Sequence, residues 1–325
     1  MLWGISDKEF EDYYRTKGPR WISRQIKINR KSIQQRRDEL EKKTGRKIRA
    51  EERITMAGHR LPPDDLEYYI AEPIGRLLHT VKNGVVLIGS DAHYWPGVIT
   101  AAHKAFVQFC KELKPTIVIK NGDELDGASI SRHPPIGWER HPTLVEEIEC
   151  VKERLEEIRL AAPKGTKLYW PAGNHDMRFE MRLATVAPEY AKINGIHLKD
   201  HFPWWEPCWS VWINNEVVVK HRYKSGIHAP WNNAITAGKT IITGHLHSLK
   251  VYPVTDYNGT RWGVDCGTLS EPFGPQFNYA EDNPRNQRSG FVVLTFVDGM
   301  MLQPETVRVI DNDRVDFRGK IVRIK

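Results

Sequence analysis

Five short stretches of the sequence concentrate Asp, His and Asn residues in a pattern suited to metal-dependent hydrolysis. In chain order they are Asp91-Ala92-His93, Gly122-Asp123-Glu124-Leu125-Asp126, Gly173-Asn174-His175-Asp176, His221 and Gly244-His245-Leu246-His247. Carboxylate, imidazole and amide groups together can hold two divalent ions about 3.5–4 Å apart, which activate a water and neutralise a phosphoryl oxyanion. Such mixed ligands favour Mn²⁺, Fe or Zn²⁺ over Mg²⁺. Asp123 is the carboxylate best placed to bridge the two ions.

Each stretch follows a short apolar run rich in β-branched residues, of the kind that forms buried strands. The runs are 85–88, 116–119, 167–170, 217–219 and 240–242. Side chains at the C-terminal ends of such strands converge on one rim of a sheet. A single Asp-x-His occurs by chance, but five such stretches in order at strand ends indicate one assembled site.

This series resembles the calcineurin-like metallophosphoesterase superfamily, whose pattern is D-x-H, G-D-x-x-D, G-N-H-D/E, H and G-H-x-H. The resemblance covers roughly residues 84–270 and fills every metal-ligand position. It implies two divalent ions, with Mn²⁺ the first expectation and Fe or Zn²⁺ as alternatives. One ion would be held by Asp91, His93, Asp123 and His247, and the other by Asp123, Asn174, His221 and His245.

The same resemblance implies the chemistry: in-line attack of a metal-bridging hydroxide on phosphorus. His175 would protonate the leaving oxygen. Either of two carboxylates could orient His175: that of the neighbouring Asp176 or that of Asp126. The superfamily pattern favours Asp126. A carboxylate that accepts a hydrogen bond from an active-site imidazole fixes the tautomer and the orientation of that ring.

The substrate is less well specified than the metal site. Gly127 and Ala172 stand where phosphoprotein phosphatases carry two phosphate-gripping arginines, which disfavours a protein phosphatase. The motifs look more like the DNA-repair exonuclease branch and like phage- or prophage-encoded phosphoesterases. Candidate substrate contacts beside the motifs are Arg132, His133, Arg178, Arg222, Tyr223 and His228.

The elements between the motifs predict a mixed α/β (α+β) fold. Helices are expected at 101–113, 143–161 and 178–186, hairpins at 209–220 and 251–264, and strands at 290–297, 304–310 and 315–324. Alternating strands and helices imply parallel pairing, and the later segments imply antiparallel strands. The resemblance implies the two-sheet β-sandwich flanked by helices of the metallo-dependent phosphatase fold over residues 84–325. A small all-α domain over 1–48 and a connector over 49–83 precede it.

The basic character of the chain is concentrated at its N-terminus. Residues 1–60 contain 17 Lys/Arg and 9 Asp/Glu, whereas the whole chain has a net charge of only +7. The segment 22–40 resembles the helix-turn-helix of bacterial transcription regulators at Ser23, Ile28, Ser32, Ile33 and Arg36, although Lys27 replaces the usual turn glycine. DNA is the expected partner, and a plain packing module is the alternative. The exposed recognition-helix residues would be Arg30, Lys31, Gln34, Gln35 and Arg37.

Other features of the sequence indicate the cellular compartment. No apolar run approaches the ~20 residues that span a bilayer, no signal-peptide pattern is present, and the four cysteines lie far apart. We therefore expect a cytoplasmic protein of a bacterial or phage-infected cell, without a membrane partner, and the sequence leaves its oligomeric state open. The preferred hypothesis is a DNA phosphodiesterase. The alternatives are a phosphomonoesterase, nucleotide phosphatase or small-molecule phosphodiesterase, and a non-enzymatic DNA-binding regulator.

Overall fold

The computed structural model describes residues 4–48, 75–133, 141–283 and 285–325, without the side chains of Arg20, Arg24 and Arg30. The chain divides into two compact units, Met1–Pro73 and Ile74–Lys325. Most of the expected connector, residues 49–74, lies outside the described residues. Its last part, residues 75–83, belongs to the larger unit.

Over its described residues, 4–48, the smaller unit contains three helices, α1 (Asp7–Thr16), α2 (Gly18–Ile26) and α3 (Arg30–Thr44). Ser6 and Glu9 form the capping box that begins α1, and the Asn29 side chain accepts a hydrogen bond from the Ser32 amide to begin α3. Apolar residues at helical spacing form the core of this unit, which consists of Phe10, Tyr14, Ile22, Ile33, Leu40 and Ile48. Between α2 and α3, Lys27 adopts the left-handed conformation with φ 52°. The tight turn therefore forms without glycine.

The larger unit contains fifteen strands among its described residues. They are β1 (Arg76–His79), β2 (Gly84–Gly89), β3 (Ile117–Lys120), β4 (Lys167–Pro171), β5 (Glu206–Cys208), β6 (Ser210–Ile213), β7 (Val217–Val219), β8 (Thr240–Thr243), β9 (Lys250–Asp256), β10 (Gly259–Asp265), β11 (Gly290–Val297), β12 (Met300–Met301), β13 (Glu305–Asp311), β14 (Arg314–Phe317) and β15 (Lys320–Arg323). Its α-helices are α4 (Ala101–Leu113), α5 (Leu144–Ala161), α6 (Asp176–Val186) and α7 (Ala229–Ala237), and short 3-10 helices lie at Ala128–Ile130, Pro188–Tyr190, Leu198–His201 and Pro275–Ala280.

These strands form two sheets. The nine-stranded sheet has the order β15-β14-β13-β11-β2-β3-β4-β5, with β12 paired to β11. Strands β2, β3, β4 and β5 run parallel, as βαβ connections require, and the rest of that sheet is antiparallel. The six-stranded sheet has the order β1-β6-β7-β8-β10-β9. The expected two-sheet α/β architecture is thus present.

Alternation along the strands explains how the two sheets and the helices form layers. In β2, Val86 and Ile88 pack in the core shared with strands of the six-stranded sheet, while Leu87 packs on the opposite face with residues of α4 and α5. Successive side chains of a strand point to opposite faces, so one apolar strand serves both layers. On the outer face of the six-stranded sheet, Ala234 of α7 packs against Ile241 of β8.

The structure differs from the sequence expectations at several elements. The strand expected at 315–324 is a hairpin, because Arg318 and Gly319 take left-handed φ values of 52° and 68° and reverse the chain between β14 and β15. Strands β1 and β5 and helix α7 were not anticipated. No helix among the described ranges is long and apolar enough to cross a bilayer.

Candidate metal centre

The five sequence stretches meet where two sheets end together. Strands β2, β3 and β4 of the nine-stranded sheet lead into Asp91, Asp123 and Asn174, respectively. Strands β7 and β8 of the six-stranded sheet lead into His221 and into the segment that carries His245 and His247. Each sheet supplies part of the ligand set, so both must pack together before the site exists.

The first cluster of metal-ligating groups is Asp91, His93 and His247, with donor atoms all within 4.8 Å of one another. His247 Nε2 lies 3.0 Å from Asp91 Oδ1. The backbone amide of His245 donates to both Asp91 oxygens, at 3.0 and 2.9 Å. These hydrogen bonds hold the segment after β8 against the end of β2.

The second cluster is Asp123, His221 and His245. His221 Nε2 lies 3.1 Å from Asp123 Oδ2 and 3.2 Å from Asn174 Oδ1. The Nδ1–H of His221 donates to the Asn121 carbonyl at 2.8 Å, which leaves Nε2 as the ligating nitrogen. Asp123 Oδ2 also lies 3.9 Å from His93 Nε2, so Asp123 faces both clusters.

The third cluster joins His93, Asp126 and His175. Asp126 Oδ1 lies 3.0 Å from His93 Nδ1 and 3.3 Å from His175 Nδ1, while the Asp126 carbonyl accepts from His175 Nδ1 at 2.8 Å. Asp126 therefore fixes the orientation of both imidazoles and leaves their Nε2 atoms for other contacts. Asp126 and His175 are brought together as the resemblance requires.

The carboxylate of Asp176 is engaged elsewhere. It accepts hydrogen bonds from the backbone amides of the segment after β3 and of Gly173, and from an indole N–H; the donors are Asp123, Glu124, Leu125, Gly173 and Trp170. Among the described contacts it does not meet the imidazole of His175. Asp176 thus joins the Asp123 segment to the Asn174 segment, and Asp126 is the carboxylate that touches His175.

The same kind of backbone strain, a left-handed φ, recurs at several residues of the site. Five of the candidate metal ligands have left-handed φ values between 40° and 72°, namely Asp91, His93, Asp123, His245 and His247. A non-glycine residue in that region is uncommon, costs about 1–3 kcal/mol, and persists only where the surroundings impose it. Strain shared by so many chemically active residues indicates that the fold is shaped to aim these side chains.

Two motif glycines are fixed by close packing rather than by φ. A Cβ on Gly173 would lie 2.1 Å from Asp123 Oδ1 and 2.3 Å from the Asp123 nitrogen. A Cβ on Gly244 would lie 2.0 Å from Ser90 Oγ and 2.4 Å from Asp91 Oδ2. The absence of a side chain at both positions lets adjacent segments approach the ligand carboxylates directly.

Electrostatics at the site favour bound cations. Burial opposes ionisation of Asp91, yet His247 and His221 lower its pKa to about 2. Burial likewise opposes ionisation of Asp123, and His221 holds its pKa well below the ordinary range. Burial lowers the pKa of His221, but Asp123 and Asp91 raise it to about 10. The buried carboxylates therefore remain anionic, and a metal ion at His221 Nε2 would displace the proton that they stabilise there.

The donor set fits divalent metal ions. His93 Nε2 and His247 Nδ1 are buried without a hydrogen-bond partner among the described residues. The closest donor pairs, His247 with Asp91 and His221 with Asp123, lie 3.0 and 3.1 Å apart. Neighbouring ligands at 2.0–2.1 Å from one octahedral ion are separated by about 3 Å. Nitrogen and oxygen donors at this spacing suit a first-row transition metal.

Among the candidate substrate contacts, Arg178 lies within the site. Its guanidinium donates to the Asp126 carbonyl at 2.9 Å and lies 3.2 Å from His175 Nε2. The other five, Arg132, His133, Arg222, Tyr223 and His228, are exposed, and no described contact joins their side chains to a metal-ligand candidate. Arg222 and Tyr223 follow His221 directly along the chain, and His228 precedes α7.

Sequence reasoning missed an aromatic segment beside the metal ligands. The Phe277 ring lies 5.3 Å from the His93 ring and 5.5 Å from the His247 ring. Arg285 stacks on Phe277 and on Tyr279, with its guanidinium 5.2 and 5.4 Å from the ring centroids. No motif distinguishes this segment in the sequence, although its aromatic and cationic composition is visible there.

In the smaller unit, the expected DNA-contacting residues have mixed surroundings. Lys31, Gln34 and Gln35 are exposed on α3, although Gln34 Oε1 accepts a hydrogen bond from the Tyr14 hydroxyl at 3.1 Å. Arg37 is half-buried and donates to Asp38 and to the Tyr14 hydroxyl. The Arg30 side chain lies outside the described residues.

Comparisons with known proteins were made by family model, by curated sequence and by structure. No family model matches the chain, and no curated protein matches it. The structural matches include Vps29 from Entamoeba histolytica complexed with Zn²⁺, with a TM-score of 0.39, 14% identity, and coverage of 74% of this chain and 99% of that one. They also include Chaetomium thermophilum Vps29, with a TM-score of 0.41, 9% identity, and coverage of 74% and 100%.

Proposed function

We propose that this chain is a two-metal phosphoesterase that hydrolyses phosphodiesters. The proposal is carried by one observation: Asp91, Asp123, Asp126 and five imidazoles converge in three adjoining clusters, with Asp123 facing the first two. A packing role alone does not account for buried imidazole nitrogens that have no hydrogen-bond partner in the described ranges and lie beside anionic carboxylates. Perturbed, mutually interacting ionisable groups of this kind are typical of functional sites.

Two bound divalent ions would supply a Lewis acid and an activated water at this position. The residues of the chain then have separate tasks. Asp123, facing both clusters, holds the pair of ion sites together, and Asn121 fixes the ligating tautomer of His221. In the hydrolysis, a water that has lost a proton to solvent bonds through its oxygen to phosphorus as the bond to the leaving oxygen breaks. His175 donates a proton to the leaving oxygen and is reprotonated from solvent. Burial lowers the pKa of His175, but Asp123 and Asp126 raise it above its ordinary value, which suits an acid.

We further propose DNA as the substrate, brought to the site by the smaller unit. Support comes from the excess of Lys and Arg in residues 1–60, from the tight turn between α2 and α3, and from the exposed Lys31, Gln34 and Gln35. Basic residues on one helix supply phosphate contacts, and amide side chains can reach base edges. The nuclease assignment depends on the phosphoesterase assignment, and it can fail while the latter stands.

The decisive experiment compares hydrolysis of bis-p-nitrophenyl phosphate and p-nitrophenyl phosphate in the presence of Mn²⁺. We expect the diester to be preferred, and the Asp123→Asn variant to lose both activity and bound metal as measured by mass spectrometry. Asp313→Asn, an exposed aspartate in the β13–β14 turn, is the matched control and should retain both. Preference for the monoester would favour a phosphatase, and metal binding without turnover would favour a regulator.

A further inference from the structure

Arg178 lies beside the site, and none of the carboxylates that the structure describes forms a direct ion pair with it. Within the described part of the chain, its guanidinium contacts the Asp126 carbonyl at 2.9 Å and His175 Nε2 at 3.2 Å. Because His175 Nδ1 donates to Asp126, Nε2 is the acceptor of the Arg178 hydrogen bond. An arginine held by a neutral carbonyl and an imidazole keeps its full charge for an incoming anion. Its planar fork suits two oxygens of one phosphate group.

The position of Arg178 next to His175 would place its guanidinium beside a bound phosphate. A phosphoryl oxygen bound between the metal clusters and α6 could replace His175 Nε2 as the acceptor for Arg178. Arg178 is thus placed to bind the phosphate next to the catalytic imidazole.

Tyr279 stands at the mouth of the same site. Its side chain is 62% exposed, and its ring lies 6.3 Å from that of Phe277, which in turn contacts His93. Burial raises the pKa of the Tyr279 hydroxyl against the effect of Arg285, and the Asp126 carboxylate acts in the same direction as burial. The hydroxyl of Tyr279 therefore lies within electrostatic range of the Asp126 carboxylate, while most of the side chain is exposed to solvent.

Arg285 makes this open ring part of a fixed surface. Its guanidinium stacks on both Phe277 and Tyr279 and donates to the carbonyls of Pro272 and Phe277. An exposed aromatic face with a fixed cation beside it suits a planar, polar ring, because stacking and cation–π attraction act together. Nucleobases are the planar rings that phosphodiesters of biological origin carry.

We propose that Arg178 and Tyr279 form a nucleotide subsite, in which Arg178 binds the phosphate and Tyr279 stacks on the base. This inference rests on the proposed phosphodiesterase function and names its substrate class as nucleoside phosphate esters. It is independent of the smaller unit, because all the residues that carry it lie in the larger one.

The test uses two diesters with the same leaving group, thymidine 5′-(p-nitrophenyl phosphate) and methyl p-nitrophenyl phosphate, with the Mn²⁺-loaded full chain. Stacking on one base predicts a kcat/KM preference for the thymidine ester of roughly tenfold or more. Tyr279→Ala should abolish that preference, mainly through KM, and leave the methyl ester within about twofold, while Tyr279→Phe should retain the preference. Tyr257→Ala, a fully exposed tyrosine in the β9–β10 turn, is the matched control.

Arg178 is tested in the same assays and by binding. Arg178→Ala should weaken both esters, Arg178→Lys should restore part of the loss, and Arg182→Ala, an exposed arginine on the same helix, should change neither. Calorimetric titration with thymidine 5′-monophosphate should show weaker binding for both Tyr279→Ala and Arg178→Ala than for the parent chain. Hydrolysis of neither ester would overturn the proposed function itself. Hydrolysis of both with equal efficiency, or equal losses for both in Tyr279→Ala, would overturn the subsite and leave the phosphodiesterase standing.

Discussion

His175 offers the sharpest prediction at the scale of single residues. If it donates a proton to the leaving oxygen, His175→Asn should slow an ester with an alkoxide leaving group by roughly 10²–10⁴-fold. The same substitution should slow p-nitrophenyl esters far less, because p-nitrophenolate leaves without a proton. Measuring kcat for both ester types in the variant and the parent chain checks this. Equal losses on both esters would show that His175 acts through geometry or metal binding instead.

Gly173 tests whether the contact geometry around Asp123 matters. A Cβ at this position would overlap Asp123 Oδ1 at 2.1 Å and the Asp123 backbone nitrogen at 2.3 Å, and the backbone atom cannot move aside easily. Gly173→Ala should therefore reduce metal content and lower the free energy of unfolding by about 1–3 kcal/mol, the usual cost of overpacking. Metal analysis and chemical denaturation measure the two effects. Retention of both by the alanine variant would contradict the close approach of these two segments.

The ligand residues could be predicted from the sequence because their types recur at the ends of recognisable apolar runs. Their conformation could not. Asp91 and His93 adopt left-handed φ values of 54° and 40°, which local preference opposes and which only tertiary packing imposes. Phe277 and Tyr279 escaped prediction for a related reason: nothing in their local sequence ties them to ligands nearly two hundred residues earlier, and tertiary folding alone places Phe277 beside His93.

At the scale of elements, the turn between α2 and α3 shows a local cost. Lys27 takes φ 52°, where a side chain is disfavoured by about 1–2 kcal/mol. Lys27→Gly should remove this cost, but glycine loses more conformational entropy on folding. The net stabilisation of the smaller unit should therefore be at most about 1 kcal/mol. Slower hydrogen exchange of the α2 and α3 amides in the full chain would support this. Faster exchange would mean that the Lys27 side chain makes a compensating contact.

Strand prediction succeeded or failed according to how much of the strand is buried. The four residues of β3 and of β8 are all buried, and their apolar runs were evident. The short strand β5 contains a proline and an exposed glutamate, and β1 alternates between exposed and half-buried residues. Edge strands take their pairing from a neighbour rather than from their own composition, so their sequences carry little signal.

At the scale of the whole molecule, metal binding should be linked to folding of the larger unit, because the two sheets each supply ligands. An ion that binds the folded state at 100 times its dissociation constant adds about 2.7 kcal/mol of stability. Mn²⁺ should raise the thermal transition of the full chain, and a chelator should reverse the shift. Asp123→Asn should largely abolish the shift, whereas Asp313→Asn should preserve it. A shift of equal size in Asp123→Asn would place the bound ions elsewhere.

The basic smaller unit is expected to act on DNA through charge rather than through the hydrolytic site. Replacing both Lys31 and Gln35 by alanine should weaken duplex binding, measured by fluorescence anisotropy, and should flatten its salt dependence. Each phosphate contact contributes about −0.9 to the slope of log K against log salt, so loss of Lys31 should reduce that slope by about one. Lys42→Ala, exposed in the last turn of α3, is the matched control and should leave the slope unchanged.

Hydrolysis of thymidine 5′-(p-nitrophenyl phosphate) should be unaffected in all these variants, because a single nucleotide does not need the smaller unit. Identical salt slopes in every variant would mean that α3 does not contact phosphates, and the basic charge of this unit would then require a different partner.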